Sequence, residues 1–328
     1  MAMERRTLGG SGLSVPPLVF GGNVLGWTAD EAASHRLLDA LVEAGLDSVD
    51  TADIYSAWAP GHSGGESEAV IGRWLRARGR SRDVTILTKV GGEMPGRGKG
   101  LGAAWIARAC DDSLRRLGVE RIDLYQAHFD DASVPVEEPL GAFARLVEAG
   151  KVRAVGASNF TAARLAEALD ASARLGLPRY ESLQPHHNLV ERDAERDLLP
   201  LCRARGLGWI PYFSLAAGFL TGKYRSEADL SKSPRGGRNV AKYLASERGP
   251  RVLAALDAVA ERLGATPARV ALAWLMATPG VTAPIASATT LDQLADLVAA
   301  TRLRLDVEAI AALDAASAPM ASAPAGVG

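Results

Sequence analysis

Eight short runs rich in β-branched residues, separated by longer segments with helical periodicity, constrain the fold of this 328-residue chain more than any other feature. Parallel neighbouring strands need a long crossover, usually a helix, between them. The alternation of strand and helix therefore predicts an α/β protein with a parallel sheet. The predicted strands cover residues 15–22, 48–53, 84–90, 122–129, 152–159, 182–188, 208–215 and 281–287.

The segments between these runs have the apolar spacing of amphipathic or buried helices. One example is the set Ile106, Cys110, Leu114 and Leu117, which recurs at intervals of three and four residues. The pentapeptide "LVEAG" occurs at 41–45 and again at 146–150. Each copy ends a predicted helix on a glycine suited to the left-handed cap and leads into a strand. Such recurrence is typical of repeated αβ units.

Eight strands, each followed by a helix, predict a (β/α)8 TIM barrel in a single domain, because such barrels typically take about 250 residues. We assign residues 1–315 to the barrel and residues 316–328, which are mostly Ala, Ser, Pro and Gly, to a disordered tail. A doubly wound sheet is the alternative, but the glycines of "GGSGLSVPP" precede the first strand instead of following it. Extended loops are predicted after the third and seventh strands, at 91–101 and 216–250.

The charge balance and the termini indicate which partners to expect. The formal net charge is −1 and the pI is near 6.5, which leaves no general field to attract nucleic acid. Two cysteines without CxxC spacing suit a reduced, intracellular chain, and we expect a cytoplasmic protein without a membrane partner. The adjacent pair His186 and His187 faces opposite sides of a strand, so no metal site is predicted there.

Four ionisable residues stand at or just beyond the ends of three successive predicted strands. They are Asp50, Tyr55, Lys89 and His128. Each one alone has an ordinary structural explanation, such as a loop cap or a packed ring. In a barrel, however, the carboxyl ends of neighbouring strands lie side by side on the catalytic face. The four side chains are therefore predicted to converge on one mouth.

These four side chains form a chemically coherent set. A free phenol has a pKa of about 10, and a nearby lysine ammonium stabilises the phenolate, so Lys89 is predicted to lower the pKa of Tyr55. Asp50 would keep the buried Lys89 charged. An imidazole at His128 can donate a hydrogen bond to a carbonyl oxygen that gains negative charge. The set suits protonation of an alkoxide formed by hydride addition, or the reverse oxidation.

Six motifs in chain order resemble those of the aldo-keto reductase family. They are "DTADIY", "LTKVG", "IDLYQAH", "VGASNF", the glutamine of "SLQPHHN", and "GFLTGKY". Within that family, the chain resembles bacterial members related to the potassium-channel β-subunit branch. The resemblance covers nearly the whole chain. It implies a (β/α)8 barrel that transfers hydride from NADPH to an aldehyde or ketone, giving an alcohol. It also implies that Tyr55 is the proton donor, that Lys89 and Asp50 tune it, and that His128 orients the substrate carbonyl.

The resemblance also implies contacts with the nicotinamide end of the cofactor. Ser158, Asn159 and Gln184 match the polar residues that hold the carboxamide, and Tyr212 matches the ring that stacks on the nicotinamide. The same pocket in the family is lined by residues that match Gly22 and Asn23, and Asp50 matches a residue that often contacts the ribose.

Further matches concern the phosphate and adenosine end. Leu215, Leu220 and Lys223 match the loop that wraps the pyrophosphate and, at the lysine, the adenosine phosphate. After the eighth strand, no Lys or Arg stands between positions 284 and 293. Ser287, Thr289 and Gln293 are the predicted phosphate ligands there, because their hydroxyl and amide groups can bind a phosphate at a helix N-terminus, where backbone N–H groups favour anions. NADPH is the predicted cofactor, and NADH stays open.

Substrate and activity class are less constrained by the sequence. Trp27, Trp58 and Phe129 fall around the predicted mouth, where aromatic walls suit an apolar carbonyl substrate, and ordinary packing explains them equally well. A small carbonyl compound is the expected partner. Two alternatives stay open: a nucleotide-binding, redox-sensing subunit of the channel-associated kind, and an NAD-dependent dehydrogenase of sugars or polyols.

Overall fold

A closed, parallel, eight-stranded sheet lies at the centre of the computed structural model, which describes residues 3–79, 83–234 and 236–318. An antiparallel pair, β1 (Arg6–Thr7) and β2 (Ser14–Val15), precedes it. The strand order in the sheet is β10-β3-β4-β5-β6-β7-β8-β9. These strands are β3 (Val19–Gly21), β4 (Ser48–Asp50), β5 (Thr85–Val90), β6 (Ile122–Ala127), β7 (Val152–Ser158), β8 (Tyr180–Gln184), β9 (Gly208–Trp209) and β10 (Ile285–Ala286).

Among the described residues, helices connect each barrel strand to the next, and two more follow β10. The connection between β9 and β10 holds three α-helices, whereas each earlier connection holds one. The helices are α1 (Glu31–Glu43), α2 (Glu66–Arg78), α3 (Ala103–Leu117), α4 (Glu137–Glu148), α5 (Ala162–Leu175), α6 (Leu198–Arg205), α7 (Ala241–Leu244), α8 (Arg248–Leu263), α9 (Pro267–Ala277), α10 (Leu291–Ala300) and α11 (Val307–Ser317).

Hydrogen bonds between the segments that hold β9 and β10 close the sheet into a barrel. The Thr282 N–H donates to the Trp209 carbonyl at 2.8 Å, and the Ile285 N–H donates to the Pro211 carbonyl at 2.8 Å. Closure leaves neither edge strand unpaired. The (β/α)8 TIM barrel predicted from the sequence is confirmed.

Proline explains why four barrel strands are shorter than the sequence predicts. A proline has no N–H to donate to a strand ladder. The strand predicted at 182–188 ends at Gln184, next to Pro185, and the strand predicted at 208–215 ends at Trp209, two residues before Pro211. The last strand begins directly after Pro284 instead of at residue 281. The first begins at Val19, after Pro16 and Pro17.

The antiparallel pair β1 and β2 closes the amino-terminal end of the barrel, and the sequence prediction missed it. It merged β2 with the first barrel strand into residues 15–22. Leu8 and Leu13, between β1 and β2, are buried in one cluster with side chains from several barrel strands. Gly9 makes the close approach, because it has φ +53° and a Cβ there would lie 2.1 Å from the Glu181 carbonyl oxygen. With this end closed, a ligand has access from the carboxyl ends of the strands.

The main core lies between the sheet and its surrounding helices, with fully buried large side chains such as Trp74, Tyr125 and Phe143. A second core lies under the long connection after β9, where Phe219, Tyr224 and other residues pack against α8, α9 and α11. This connection, 216–247, contains 3₁₀ turns at Ala216–Thr221 and Glu227–Lys232 in addition to α7. The predicted long loop is therefore a folded cover with its own apolar support.

Helix ends follow the capping chemistry that the sequence contains. Gly45 and Gly150, the last residues of the two "LVEAG" copies, have φ +83° and +71°, the left-handed conformation that ends a helix. At the other ends, side-chain oxygens accept a backbone N–H and satisfy a donor that the helix leaves free. The N-cap residues that do so three positions upstream are Asp30, Thr161, Thr266, Thr290 and Asp306.

The carboxyl-terminal helix extends slightly past the predicted domain boundary. α11 ends at Ser317, so the first two residues of the tail predicted at 316–328 are helical. Residues 319–328 lie outside the described residues, and disorder there stays a prediction. In the part of the chain that the structure describes, no helix has the length and apolar content needed to cross a membrane.

Candidate active site

A fully buried lysine lies at the centre of a cluster of polar side chains at the carboxyl-terminal ends of the barrel strands. Lys89, on β5, donates from Nζ to Asp50 Oδ1 at 2.5 Å, to the Thr51 carbonyl at 2.8 Å and to Tyr55 Oη at 2.9 Å. These three acceptors match the three donors of an ammonium group. The contact that the sequence predicts between Tyr55 and Lys89 is present, and the loop after β4 supplies both Thr51 and Tyr55.

Asp50 is held by amide groups from two further strands. Its Oδ2 accepts from Gln184 Nε2 at 2.9 Å and from Gln126 Nε2 at 3.2 Å. No role was predicted for Gln126, although it lies in the motif "IDLYQAH". The signal was present, because residues two apart on a strand face the same side and Gln126 is two residues before His128. Gln126 is also the register partner of Lys89.

Burial and charge set the protonation of the lysine and the tyrosine. Burial alone disfavours the charged lysine, but Asp50 and Tyr55 outweigh it and raise the pKa of Lys89. Burial raises the pKa of Tyr55 above its ordinary value; Lys89 acts against this rise and Asp50 adds to it. The predicted net lowering of the Tyr55 pKa is wrong, because loss of solvent outweighs the lysine charge. Tyr55 is therefore a protonated phenol at neutral pH, beside an ammonium group.

His128 faces this group as a neutral imidazole. Its ring centroid lies 6.0 Å from that of Tyr55, and Phe129 stacks on it at 4.5 Å with an interplanar angle of 17°. Burial, assisted by the charge of Lys89, lowers the pKa of His128 well below its ordinary value. Its buried Nδ1 has no hydrogen-bond partner among the described residues. A neutral imidazole keeps one N–H to donate and does not compete with Tyr55 as a proton source.

The lowered pKa of His128 predicts a pH-dependent loss of stability. The unfolded chain binds a proton at pH values where the folded chain does not, so folding stability is lost as the pH falls below about 6.5. We expect the free energy of unfolding of wild type, relative to His128→Gln, to fall by about 1.4 kcal/mol per pH unit in that range. Urea unfolding at pH 7.5 and pH 5.0 measures it. The partly buried His35→Gln serves as control, and equal slopes for wild type and His128→Gln would contradict the assignment.

A chain of hydrogen bonds connects the ends of β6, β7, β8 and the segment after β9. Tyr212 Oη donates to Asn159 Oδ1 at 2.8 Å, and Asn159 Nδ2 donates to the His128 carbonyl at 2.9 Å and to Ser158 Oγ at 3.1 Å. Ser158 Oγ donates to the Gln184 carbonyl at 2.7 Å. The four residues predicted to hold a nicotinamide are therefore neighbours.

Strained backbone marks the same end of the barrel. The described part of the chain has five non-glycine residues with positive φ, and all lie in loops that follow strand ends. They are Ser56, Asn159, Phe213, Ala216 and Ala217, with φ between 50° and 76°. Such conformations are costly and persist where surrounding structure holds them, commonly at binding sites. Three of them flank Tyr212 and the start of the cover.

The nicotinamide candidates fit a flat aromatic ring that carries an amide. Tyr212 is partly exposed, and one face of its ring stacks on His186 at 5.3 Å with an interplanar angle of 17°. This stacking and the bond to Asn159 fix the plane of the tyrosine ring. The Asn159 amide accepts from the Tyr212 hydroxyl and donates to the Ser158 hydroxyl, whereas the Gln184 side-chain amide donates to Asp50 and Gln126. An aromatic surface next to amide donors and acceptors is the set that a nicotinamide needs.

The other cofactor candidates fall into separate places. Ser287 Oγ donates to Asn23 Oδ1 at 2.7 Å, which joins the ends of β10 and β3 beside Gly22. Gln293 Oε1 accepts from the Thr289 N–H at 2.9 Å and from its hydroxyl at 3.1 Å. The cover candidates differ in exposure: the side chains of Leu220, Leu215 and Lys223 are buried, half-buried and exposed, respectively. The roles of these residues in cofactor binding stay predictions.

Aromatic side chains surround the tetrad. Trp58 lies edge-on to Trp27 and to Tyr55, with centroid distances of 5.5 and 5.9 Å. Trp58 and Phe129 are 42% and 44% exposed, which is unusual for large apolar rings and makes them available to a ligand. The three predicted substrate-pocket residues therefore lie beside the catalytic candidates, and their contact with substrate stays a prediction.

The two adjacent histidines have different environments. His187 is buried and its Nε2 lies 2.7 Å from Glu195 Oε1, whereas His186 stacks on Tyr212. Within residues 3–79, 83–234 and 236–318, no group of three or more His, Cys, Asp or Glu side chains is arranged to hold a metal ion.

Comparison with known proteins identifies relatives along nearly the whole barrel. The oxidoreductase YrpG of Bacillus subtilis, itself uncharacterized, is 34% identical, over 88% of this chain and 88% of its own length. A probable voltage-gated potassium channel subunit beta of Arabidopsis thaliana is 32% identical, again over 88% of both chains. The versiconal hemiacetal acetate reductase of Aspergillus parasiticus is 31% identical, over 88% of this chain and 90% of its own.

The family assignment rests on a second, independent comparison. Residues 17–318 match the model of the aldo/keto reductase family, a span that includes all eight barrel strands and every member of the tetrad. The fold, the contacts of the buried Lys89 with Asp50 and Tyr55, and the relatives agree. The chain belongs to the aldo/keto reductase family of oxidoreductases.

Proposed function

We propose that this protein reduces an aldehyde or ketone to an alcohol, with NADPH as hydride donor and Tyr55 as general acid. The observation that carries the proposal is the buried contact of a protonated phenol with a charged lysine, 2.9 Å apart, in reach of a neutral imidazole. A relative named as a reductase supports the direction of the reaction.

Each member of the tetrad has one task in this reaction. When bound, the nicotinamide supplies the hydride that adds to the carbonyl carbon. Tyr55 donates its proton to the carbonyl oxygen, and Lys89 stabilises the phenolate that remains. Asp50, held by Gln126 and Gln184, keeps Lys89 charged and fixed in place. The neutral imidazole of His128 donates a hydrogen bond to the oxygen as negative charge develops on it.

The proposed direction of proton transfer suits the raised pKa of Tyr55. A phenol that stays protonated at neutral pH is ready to act as an acid in every encounter with substrate. The ammonium of Lys89 then has its largest effect after proton transfer, when the phenolate carries the charge. Burial thus keeps Tyr55 protonated before the reaction, and the charge of Lys89 stabilises its phenolate after the proton has been transferred.

Steady-state consumption of NADPH with a panel of aldehydes and ketones tests the proposal. We expect turnover with 4-nitrobenzaldehyde, and larger kcat/KM for aromatic carbonyls than for short aliphatic ones, because Trp27, Trp58 and Phe129 surround the site. Absence of turnover across the panel would refute the enzyme proposal.

Cofactor choice needs a separate binding measurement. Ser287, Thr289 and Gln293 are the proposed ligands of the 2′-phosphate, and Asn159, Ser158 and Gln184 those of the carboxamide. Titration of the tryptophan fluorescence with NADPH and with NADH gives both dissociation constants. We expect NADPH to bind more tightly, and a preference for NADH would instead support an NAD-dependent dehydrogenase.

A redox-sensing role is the second candidate, because a probable potassium channel subunit beta is among the relatives. Such a protein would bind NADPH and carry out little or no steady-state turnover. The two measurements above separate the candidates: tight NADPH binding without turnover on the whole panel favours the sensor.

A further inference from the structure

A buried polar cluster lies behind the loop that carries Tyr55. It consists of Asp53 from that loop, Glu68 from α2, Thr88 from β5, Arg116 from α3 and Tyr125 from β6, and we call it the acid cluster. All but Arg116 have at most 1% exposure. The buried cluster holds two carboxyl groups but only one arginine, so the arginine can balance the charge of only one of them.

Glu68 uses the arginine of this cluster. Its Oε2 accepts from Arg116 Nε at 2.7 Å, and its Oε1 accepts from Thr88 Oγ1 at 2.6 Å. Arg116 Nη2 donates a hydrogen bond to Ser113 Oγ at 3.2 Å. Both oxygens of one carboxylate are therefore satisfied, and the arginine charge is balanced.

Asp53 has no such partner. Neither of its carboxyl oxygens has a hydrogen-bond partner among the described residues, and the Tyr125 hydroxyl is equally without one. Burial, followed by the charge of Glu68, raises the pKa of Asp53 to about 8, against the opposing effects of Arg116, the Ile54 backbone amide and Lys89. Ionised Asp53 would place a second negative charge beside one that already has its cation.

The backbone of Asp53 connects this cluster to the catalytic candidates. The Asp53 N–H donates to the Lys89 carbonyl at 3.2 Å, and the Tyr55 N–H donates to the Ala52 carbonyl at 3.2 Å. A Cβ on Gly64 would lie 3.1 Å from the Asp53 carbonyl oxygen, so the loop is tightly packed there. Little space remains for Asp53 to move without moving Tyr55, two residues away.

We propose that Asp53 is a positioning residue that holds Tyr55 against Lys89 only while its own carboxyl group is neutral. Burial and Glu68 outweigh the attraction that Arg116 and Lys89 exert on an ionised Asp53, because both cations are already bound to other groups. Glu68 repels an ionised Asp53, Arg116 is bound to Glu68, Tyr125 packs from β6, and Lys89 is bound to Asp50 and Tyr55. Ionisation favours a solvent-exposed carboxylate, so it draws Asp53 outwards and pulls the loop with it. Gly64, which packs against the Asp53 carbonyl, lines a surface cleft together with Arg116.

This inference rests on the proposed reductase function, and a pH profile tests it. We expect wild-type kcat to fall about tenfold between pH 7 and pH 9, because the neutral fraction of a group with a pKa of about 8 falls from about ten-elevenths to one-eleventh. Asp53→Asn imitates the neutral acid, so it should keep most of the turnover at pH 7 and lose this decrease. The control Asp123→Asn, on the neighbouring strand β6, should follow wild type.

A second variant tests the same idea from the other carboxyl group. Glu68→Gln frees Arg116, which can then pair with an ionised Asp53 at neutral pH. Turnover at pH 7 should fall in Glu68→Gln and return in the double variant Asp53→Asn/Glu68→Gln. If Asp53→Asn shows the wild-type decrease between pH 7 and pH 9, or if the double variant stays as impaired as Glu68→Gln, the proposal is wrong.

Thermal unfolding and fluorescence keep the inference testable if the enzyme turns over no carbonyl. Because the folded-state pKa of Asp53 is raised, the folded chain binds a proton that the unfolded chain has lost, and stability falls as the pH rises from about 4 to about 8. The Tm of Asp53→Asn should therefore exceed that of wild type increasingly across this range. Emission of Trp58, which packs on Tyr55, should change between pH 7 and pH 9 in wild type alone. Equal Tm differences at pH 5 and pH 8 would refute the inference, whereas missing turnover alone would refute only the reductase function.

Discussion

Replacement of Tyr55 by phenylalanine is expected to lower kcat for carbonyl reduction about 10³-fold, within the 10² to 10⁴ range of general acid catalysis. The change removes the hydroxyl that lies 2.9 Å from Lys89 Nζ and leaves the ring in contact with Trp58. NADPH binding should change by less than about threefold, because the Ser158 hydroxyl and the side-chain amides of Asn159 and Gln184 are untouched. Single-turnover kinetics and a fluorescence titration measure the two quantities.

A matched tyrosine controls for loss of a buried hydroxyl. Tyr180, on β8, is buried between Phe143 and Phe160 and lies outside the proposed site. Tyr180→Phe should retain kcat within about twofold while it tests the effect of the same atom change on the barrel. If Tyr55→Phe kept more than about a tenth of wild-type kcat, another group would have to supply the proton.

The sequence predicts the barrel and the convergence of the tetrad well, because both depend on topology. Once the strands are placed, the carboxyl ends of β4, β5 and β6 must lie side by side, and Asp50, Lys89 and His128 stand there. Tyr55 follows because five residues are enough to turn back from the strand end. None of this needs side-chain packing.

Features that depend on how side chains pack in the interior could not be predicted from the sequence. The net pKa of Tyr55 is decided by how much solvent the hydroxyl loses, which no spacing of residues reveals. Asp53 lies between Asp50 and Tyr55 in the motif "DTADIY", and nothing in that motif distinguishes it from an ordinary loop residue. Its carboxyl group has no hydrogen-bond partner among the described residues because Arg116 is bound to Glu68. The hairpin of β1 and β2 was missed because its strands are two residues long, too short for alternation to register.

Loss of the lysine charge should affect stability as well as catalysis. In Lys89→Met, the buried Asp50 keeps the amide donors of Gln126 and Gln184 but has no cation beside it. Removing one partner of a buried ion pair typically costs 3 to 5 kcal/mol, and the two amides place the expected loss near the lower value, about 3 kcal/mol. Urea unfolding at pH 7 measures it, with the exposed pair variant Lys151→Met as control, for which we expect less than about 1 kcal/mol.

Neutralising Asp50 as well separates the structural role of the pair from its catalytic one. Lys89→Met/Asp50→Asn leaves no buried charge at this position, so most of the lost free energy of unfolding should return, while kcat stays at least about 10²-fold below wild type because nothing stabilises the phenolate of Tyr55. A double variant no more stable than Lys89→Met at pH 7 would mean that the lysine supports the barrel by packing, and that its contact with Asp50 is not what stabilises the site.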